Sequence, residues 1–376
     1  MKNNFKNNKM FTIGVEEEYM LCSPTDFELI DKADIIMNNL DDKFRERYSY
    51  ELLLSEIESN TSINESVNDA ISELSILRKN LKVMGDKFGF KIGVSGTHPT
   101  ANPLNQNFIK NDSYTWVKNQ LKYYASQNIT FSTHVHIGLN DPELSIQVAN
   151  IARCWIAPLL ALSVNSPFFN GQLTGMQSSR TFQFGIFPRT NIAHQIKNMK
   201  EYESIINNFI KTKAIEKPRQ IWWKIRPHTD FGTVEFRIFD VQRSLKNTKM
   251  FIAVCQALVH KIVSDIKNNH SFNDYNMEYL NDGLWKAASK GIHSTIINPI
   301  NEKSISMTDM INSLLEYIYP SLVYFNTANI ENTIQNILNE GPEADSQINI
   351  YKENGIDKLK QFLIDNVEFN LRGNNV

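Results

Sequence analysis

Four short segments of this chain each carry two charged or imidazole side chains separated by one residue. The pairs are Glu16 and Glu18, Glu56 and Glu58, His134 and His136, and Glu235 and Arg237. Successive side chains of a β-strand point to opposite faces, so both members of a pair share one face if their segment is a strand. A sheet that gathers these strands would therefore have one face rich in carboxylates and imidazoles.

The pairs use fewer residue types than a solvated sheet face requires. Any antiparallel sheet with one wet face alternates polar and apolar residues, but Thr, Lys and Gln serve that purpose as well as Glu and His. The five glutamates among the pairs would repel each other unless cations lie between them. Carboxylate and imidazole ligands suit Mg²⁺ or Mn²⁺, and Mg²⁺ keeps coordination positions that substrate phosphates fill. The pairs predict a phosphate-handling site with more than one metal ion.

Arginines near these segments are candidate anion-binding groups. Arg237 shares a strand face with Glu235 and could stabilise charge on a transferring phosphoryl group, with a structural salt bridge as the alternative. Arg180 follows Ser179 near the end of the poorly periodic segment 165–188, and a long loop of this kind is often functional. Arginine suits bidentate capture of phosphate or carboxylate, although a surface or structural role is open for Arg180.

A further arginine follows two tryptophans. Arg226 is the last residue of the segment Trp222-Trp223-Lys224-Ile225-Arg226. Like Arg180, it could bind an anion or have a surface or structural role. Neighbouring side chains on a strand face opposite ways, so we expect one tryptophan in the core and the other in a pocket.

The order of the patterns predicts an α+β fold with a mostly antiparallel sheet flanked by helices. A flexible segment 1–10 precedes one catalytic domain, 11–376, which has a sheet-containing core over 11–245 and a mainly helical part over 246–376. Strands are predicted over 11–22, 48–59, 90–95, 129–139, 219–226 and 233–240, and helices over 31–47, 63–88 and 142–164.

Composition excludes several classes of protein. A net charge of −2 gives no overall field toward nucleic acid or an anionic membrane. The most apolar stretch, 155–164, is too short for a membrane span and predicts a buried helix. The Asn/Lys-rich start lacks the apolar core of a signal peptide, and three scattered cysteines favour neither disulfides nor structural zinc, so we expect a cytoplasmic protein. P-loop, Rossmann, HExxH and GxSxG motifs are absent.

Seven segments, in order, resemble motifs of the bacterial carboxylate–amine ligases of the glutamate–cysteine ligase type 2 family. They are Gly-Val-Glu-Glu-Glu at 14–18, Ser-Glu-Ile-Glu at 55–58, Ser-Gly-Thr-His-Pro at 95–99, His-Val-His-Ile-Gly at 134–138, Asn-Ser-Pro-Phe at 165–168, Thr-Gly-Met-Gln-Ser-Ser-Arg at 174–180, and Arg-Pro at 226–227 followed by Glu-Phe-Arg at 235–237. The resemblance implies a catalytic fold like that of glutamine synthetase and guanido kinases.

The resemblance also implies a reaction. In this family a carboxylate attacks the γ-phosphate of ATP, and an amine displaces phosphate from the resulting acyl phosphate. The default substrates are the γ-carboxylate of glutamate and cysteine or another amine, with Mg²⁺ or Mn²⁺ and an expected homodimer. The implied metal ligands are Glu16, Glu18, Glu56, Glu58, His134, His136 and Glu235; the implied catalytic residues are Arg237, Glu235 and Arg226; and the implied phosphate- or substrate-binding residues are Arg180, Ser179, Arg226 and Trp223.

Two departures from the family pattern bear on substrate choice. Ser289 and Ser346 stand where the family tends to have Arg, which predicts a different carboxylate or amine if either Arg normally grips an acidic substrate. Two alternatives compete with the ligase. One is a nucleotide- or metabolite-binding relative without turnover. The other is a metal-dependent amidohydrolase, although its His-x-His motif belongs on the first strand of a barrel and here follows acidic strands.

Overall fold

The computed structural model describes residues 4–5, 8–110 and 112–371. Its strands are β1 (Ile13–Cys22), β2 (Tyr48–Ser49), β3 (Glu56–Asn60), β4 (Lys91–Gly93), β5 (Ser132–Gly138), β6 (Phe168–Phe169), β7 (Gln172–Leu173), β8 (Ile225–His228), β9 (Thr233–Asp240), β10 (Thr295–Ile297) and β11 (Ser304–Ser306). Seven of these strands form one sheet in the order β2-β3-β1-β5-β9-β8, with β4 paired to β1, and every pairing in it is antiparallel. Pairs β6–β7 and β10–β11 are separate hairpins.

Helices cover one face of the large sheet and form most of the chain after β9. They are α1 (Ala33–Asn38), α2 (Val67–Phe88), α3 (Asp112–Leu121), α4 (Tyr123–Ser126), α5 (Pro142–Ala152), α6 (Ile156–Ser163), α7 (Ser179–Gly185), α8 (Met199–Lys211), α9 (Leu245–Lys267), α10 (Met277–Lys290), α11 (Met307–Tyr324), α12 (Glu331–Glu340) and α13 (Glu343–Asp365). The predicted mixture of helices with a mostly antiparallel sheet is confirmed, and an antiparallel sheet does not suit the parallel barrel of an amidohydrolase.

Strand alternation separates the two faces of the sheet. On the covered face, Val15, Val135 and Phe236 are 1% exposed or less and belong to the main core with α9. On the other face, charged residues stand opposite each other across neighbouring strands. The opposed pairs are Glu18 with Glu58, Glu16 with His134, His136 with Glu235, and Glu235 with Arg226.

Glu17 points to the covered face, as alternation requires, and is fully buried there. It accepts two hydrogen bonds of 2.9 Å from the guanidinium of Arg78 on α2, and further ones from the hydroxyls of Tyr19 and Thr248. A buried carboxylate is tolerated only when it is paired and hydrogen bonded. This pair therefore joins β1 to α2 and α9.

The helix predicted over 63–88 is confirmed as α2. The side chain of Ser66 accepts a hydrogen bond from the backbone of Asp69 at its start, and Gly89 ends it with φ of 73°, a conformation that glycine adopts without strain.

Three predicted elements have wrong boundaries, and one segment predicted to be a loop contains regular structure. The helix predicted over 31–47 stops at Asn38, where the side chain of Asn39 bonds back to Ile35, a competition with the backbone typical of asparagine. The strand over 48–59 is interrupted between β2 and β3, and the strand over 219–226 begins only at Ile225. The unpatterned segment 165–188 contains the hairpin β6–β7 and helix α7.

The apolar segment Pro142–Ser163 is long and apolar enough to cross a membrane by length and composition alone. A 3₁₀ turn at Arg153–Trp155 interrupts it, and 83% of its most apolar stretch of 18 residues is buried inside the fold. Every residue of α6 is buried, which confirms the prediction of a core helix. Pro158 lies in the first turn of α6, where its missing N–H has no helical partner to lose.

The described part of the N-terminal segment contacts the turn between β8 and β9. Phe5 is fully buried, the backbone N–H of Asn4 donates to the carbonyl of Thr229 at 3.1 Å, and the side chain of Asn8 donates to the carbonyl of Gly232 at 2.8 Å.

Candidate active site

The charged face of the sheet forms the floor of a cavity of about 530 Å³. Carboxylates of β1 and β3 lie at one end, arginines of α7, β8 and β9 lie at the other, and Phe184 and Trp222 contribute aromatic walls. Eight of the twelve site residues predicted from the sequence line it: Glu16, Glu18, Glu56, Glu58, His134, Arg180, Arg226 and Arg237. The strand alternation therefore brings together residues up to 221 positions apart in the chain.

The other four predicted residues lie outside the cavity lining. His136 and Glu235 are directly beneath it, because His136 Nε2 lies 3.2 Å from Glu16 Oε1 and 3.8 Å from Glu235 Oε1. Ser179 is buried, and its hydroxyl bonds to that of Thr174 at 2.9 Å, which holds the loop before α7.

The two tryptophans face opposite ways, as predicted, but Trp223, the one predicted to bind phosphate or substrate, is on the core side. Trp223 packs in the core with its ring 6.3 Å from that of Tyr202, and Trp222 is the one on the cavity wall.

Three groups of side chains in the described residues have the spacing of metal ligands. Within each group, one ligand atom from every residue lies within 4.8 Å of the others. The groups are Glu16, His136 and Glu235; Glu16, Glu58 and His134; and Glu18, Glu51 and Glu58. Because Glu16 and Glu58 are each shared by two groups, the three form one continuous cluster.

At the acidic end, burial and the repulsion between neighbouring carboxylates raise the pKa values of three glutamates. Burial and the nearby charges of Glu16 and Glu18 raise the pKa of Glu58 to about 8. Burial and Glu18 raise the pKa of Glu56 well above its usual value, and burial and Glu58 do the same for Glu51. Proton uptake is one way to relieve this repulsion, and a bound divalent cation is the other.

The donor set fits a divalent cation. Carboxylate oxygens dominate it, as Mg²⁺ and Mn²⁺ prefer, and imidazoles join it. His136 Nε2 is buried and, among the described residues, makes no hydrogen bond of acceptable geometry despite its closeness to two carboxylates. The other ring nitrogen of His136 lies 3.0 Å from the hydroxyl of Thr233, which orients the ring.

Glu235 links the acidic end to the arginines. Its Oε1 accepts a hydrogen bond of 2.6 Å from Arg237, and its Oε2 accepts one from Arg226. Burial alone would raise the pKa of Glu235, but the charges of Arg226 and Arg237 outweigh burial and hold it well below the usual range. Glu235 is therefore ionised, and it fixes both arginines on neighbouring strands.

The remaining arginine contacts place the guanidinium groups around the cavity. Arg226 also donates to the carbonyls of Arg219, at 2.7 Å, and Ile221, so most of its donors are engaged. Arg180 is 2% exposed and donates to the carbonyls of Ile238 and Arg237, at 3.1 and 3.2 Å. Helix α7 is thereby attached to β9.

Among the residues that sequence reasoning missed are Glu51 and Phe184, which line the cavity, and Lys224, which lies outside its lining. Glu51 lies between β2 and β3 and carries no spacing signal. Phe184 lies in α7, which the sequence did not predict. Lys224 precedes Arg226 by two residues, so the same-face rule could have found it.

Neither of the two departures from the family pattern, Ser289 and Ser346, lines the cavity. The residue beside Ser346, Asp345, accepts a hydrogen bond of 2.9 Å from Gln177 and lies 3.1 Å from His293. This arrangement gives no support to an altered substrate grip at these positions.

The chain matches known ligases in sequence and in fold. A relative from Solibacter usitatus, provisionally named glutamate–cysteine ligase 2, is 31% identical over 96% of this chain and 94% of its own length. A crystal structure of glutamate–cysteine ligase from Francisella tularensis, in complex with AMP, superposes with a TM-score of 0.70 at 13% identity, covering 96% of this chain and 88% of that one. A bifunctional glutathione synthetase from Pasteurella multocida gives 0.71 at 13% identity, covering 96% of this chain; the chain spans about half, 52%, of that enzyme.

These matches and the charged cavity place the chain among the ATP-dependent carboxylate–amine ligases. Within that class it belongs to glutamate–cysteine ligase family 2, whose sequence model matches residues 12–361. The predicted resemblance and the predicted enzyme class are both confirmed, and the alternative of a binding protein without turnover is not favoured.

Proposed function

We propose that the cavity joins the γ-carboxylate of glutamate to the amine of cysteine, or to another amine, through an acyl phosphate. The observation that carries this proposal is the division of one sheet face into an acidic end and an arginine end joined by Glu235. An acidic end suits metal-bound polyphosphate, and an arginine end suits the charge that develops as a phosphoryl group moves.

Carboxylates and imidazoles that line the cavity or lie directly beneath it would hold Mg²⁺ or Mn²⁺. The ligands would be Glu16, Glu18, Glu56, Glu58, His134, His136 and Glu235, with Glu51 added to them. Such an ion, when bound, neutralises phosphate charge and orients the nucleotide.

The protein's own groups position the reactants. The substrate carboxylate oxygen attacks the γ-phosphorus while the bond to the ADP oxygen breaks, and Arg237 donates to the transferring phosphoryl oxygens. The amine then attacks the acyl carbon, phosphate leaves, and an amide forms. Arg180 and Arg226 bind phosphate or substrate carboxylate, Ser179 holds the loop that carries Arg180, and Trp223 supports the wall from the core. No covalent protein nucleophile is needed.

The wider setting of the activity is also a proposal. We propose a fold of the glutamine-synthetase type, one catalytic domain over 11–376, and a cytoplasmic homodimer that needs neither nucleic acid nor a membrane. The support is the antiparallel sheet with its charged face and the near-neutral net charge of −2.

The test is condensation by the purified full-length chain. The protein is incubated with ATP and Mg²⁺, and separately with Mn²⁺, against pooled carboxylates and pooled amines, and ADP and product masses are followed. We expect ADP that requires both pools and a product mass that identifies them. Glu235→Gln should abolish it, because the variant removes a charge that fixes two arginines, whereas the exposed Glu340→Gln should not. ADP that needs neither amine nor Glu235 would contradict the proposal.

A further inference from the structure

Lys224 is a buried cation that the proposed chemistry leaves without a role. Its side chain is 1% exposed, and its Nζ makes no hydrogen bond or ion pair within the described residues. Burying an ammonium group without a partner is costly, so such groups are rare in proteins. Burial, together with the charges of Arg180 and Arg237, lowers the pKa of Lys224 to about 7. An unpartnered buried amine of this kind points to a ligand.

A second cationic side chain, that of Arg237, stands opposite Lys224 on the neighbouring strand. The backbone N–H of Arg237 donates to the carbonyl of Lys224 at 2.9 Å, which continues the pairing of β8 with β9 by one step beyond Ile225 and Phe236. Two cations thus stand opposite each other across neighbouring strands. Like charges in this position destabilise a sheet, and either loss of the Lys224 proton or an anion between the two groups relieves the repulsion.

A third cation, Arg180, completes the group. The ring centroid of Phe184 lies 5.6 Å from Lys224 Nζ, 5.9 Å from the Arg237 guanidinium carbon and 6.0 Å from that of Arg180. The Nε groups of both arginines are also buried without hydrogen-bond partners in the described residues. Three cationic side chains therefore present unused donors around one aromatic ring.

The nearby carboxylate of Asp240 does not satisfy these donors. It lies 3.6 Å from Arg180, and it already accepts hydrogen bonds from the backbone of Asn165 at 2.9 Å and from the hydroxyls of Ser166 and Ser178 at 2.6 and 3.0 Å. An acceptor from outside the chain would satisfy these donors. Three converging cations match a compact oxyanion with two negative charges better than a carboxylate with one.

We propose that Lys224, Arg180 and Arg237 form one site for a tetrahedral dianionic oxyanion, covered by Phe184, that takes the phosphoryl group or the released phosphate. The inference rests on the proposed function for the roles of Arg237 and Arg180 and adds Lys224 as a residue that binds the anion. Arg237 and Arg180 line the cavity, so the site opens into it, and Phe184 is both a wall of the cavity and the cover of the site.

The test measures binding, without turnover. Inorganic phosphate is titrated into the full-length protein by calorimetry at constant ionic strength, and the variant is Lys224→Met, which keeps an unbranched side chain one atom shorter and removes the charge. We expect phosphate affinity to fall about tenfold or more, as for loss of one hydrogen bond to a charged group. The exposed Lys200→Met, at the start of α8, should bind phosphate as the wild type does.

ATP and ADP separate the two sources of the anion. If the site takes the γ-phosphoryl group, Lys224→Met weakens ATP binding and leaves ADP binding unchanged. If it takes only released phosphate, both nucleotides bind as before while phosphate affinity falls. Lys224→Gln, which is neutral and polar, should repeat the result and replaces Lys224→Met if that variant does not fold.

Two results would overturn the inference: equal phosphate affinity for the wild type and both Lys224 variants, or no saturable phosphate binding by the wild type at millimolar concentrations. The ligase proposal fails separately. A protein that binds phosphate through Lys224 but makes no ADP with any substrate pool keeps the anion site and loses the proposed reaction.

Discussion

At the scale of single residues, Glu235 carries the largest share of the site's organisation. It is 1% exposed, it contacts Arg226 and Arg237, and its Oε1 lies 3.8 Å from His136 Nε2. One ionised carboxylate thus orients Arg237, which lines the cavity, and also belongs to the cluster of residues with metal-ligand spacing. Because Glu235 contacts three side chains, it restricts the orientations that they can adopt. Electrostatic catalysis requires charged groups that are oriented before the reaction begins.

Arg237 is the residue on which we expect turnover to depend most directly. Arg237→Lys keeps the charge but removes the fork of donors that reaches Glu235 and, in the proposed reaction, the phosphoryl group. We expect kcat to fall by about 10²–10³-fold with a much smaller change in KM for ATP, since the interaction strengthens in the transition state. Steady-state kinetics check this, with the exposed Arg45→Lys as the control. An unchanged kcat would remove Arg237 from the chemistry.

At the scale of elements, β1 serves both faces of the sheet. Its three consecutive glutamates divide by alternation, with Glu16 and Glu18 on the cavity and Glu17 in the core against Arg78. Arg78 also donates to the carbonyls of Gln242, at 2.7 Å, and Arg243, at 3.0 Å, which follow β9. This fully buried ion pair therefore holds α2 against two strands that build the site.

Breaking that pair should destabilise the whole fold. Arg78→Met leaves the Glu17 carboxylate buried without its partner, so we expect the free energy of unfolding to fall by about 3–5 kcal/mol. Adding Glu17→Leu should recover part of this loss, because it removes the stranded charge. Urea unfolding measures both. On the same helix, Lys82→Met breaks the exposed contact with Asp86 and should change stability by less than about 1 kcal/mol; a similar loss for both would refute the assignment.

At the scale of the whole molecule, the sheet concentrates acidic side chains that are far apart in the unfolded chain. The repulsion between them is a consequence of folding, and it makes the stability of the metal-free protein depend on pH. Glu58 illustrates the sign: its pKa is about 8 in the folded protein against the usual 4.5, so the folded state binds its proton more tightly than the unfolded state does.

The metal-free protein should therefore lose stability as pH rises from about 4.5 through about 8, where Glu58 must ionise beside Glu16 and Glu18. Glu56 and Glu51, whose pKa values are also raised, act in the same direction. We expect the thermal midpoint to fall across this range and Mg²⁺ or Mn²⁺ to restore it most strongly at the alkaline end, since ionised carboxylates bind the cation. Thermal scans with chelator and with metal check this. A profile that metal does not change would argue against a cation site.

The sequence alone determined which side chains share a face, because alternation along a strand depends only on local backbone geometry. This reasoning put Glu16 with Glu18, Glu56 with Glu58 and His134 with His136 on shared strand faces before any strand pairing was known. It also predicted α2, whose apolar spacing and caps are local signals.

Only the tertiary structure decided which residues outside regular strands reach that surface. Glu51 enters the cavity from the interruption between β2 and β3, Phe184 enters from the short helix α7, and Trp222 takes the wall position while Trp223 enters the core. These placements depend on long-range packing, which no local period encodes. For the same reason the isolation of Lys224 became visible only once β8, β9 and α7 had been brought together.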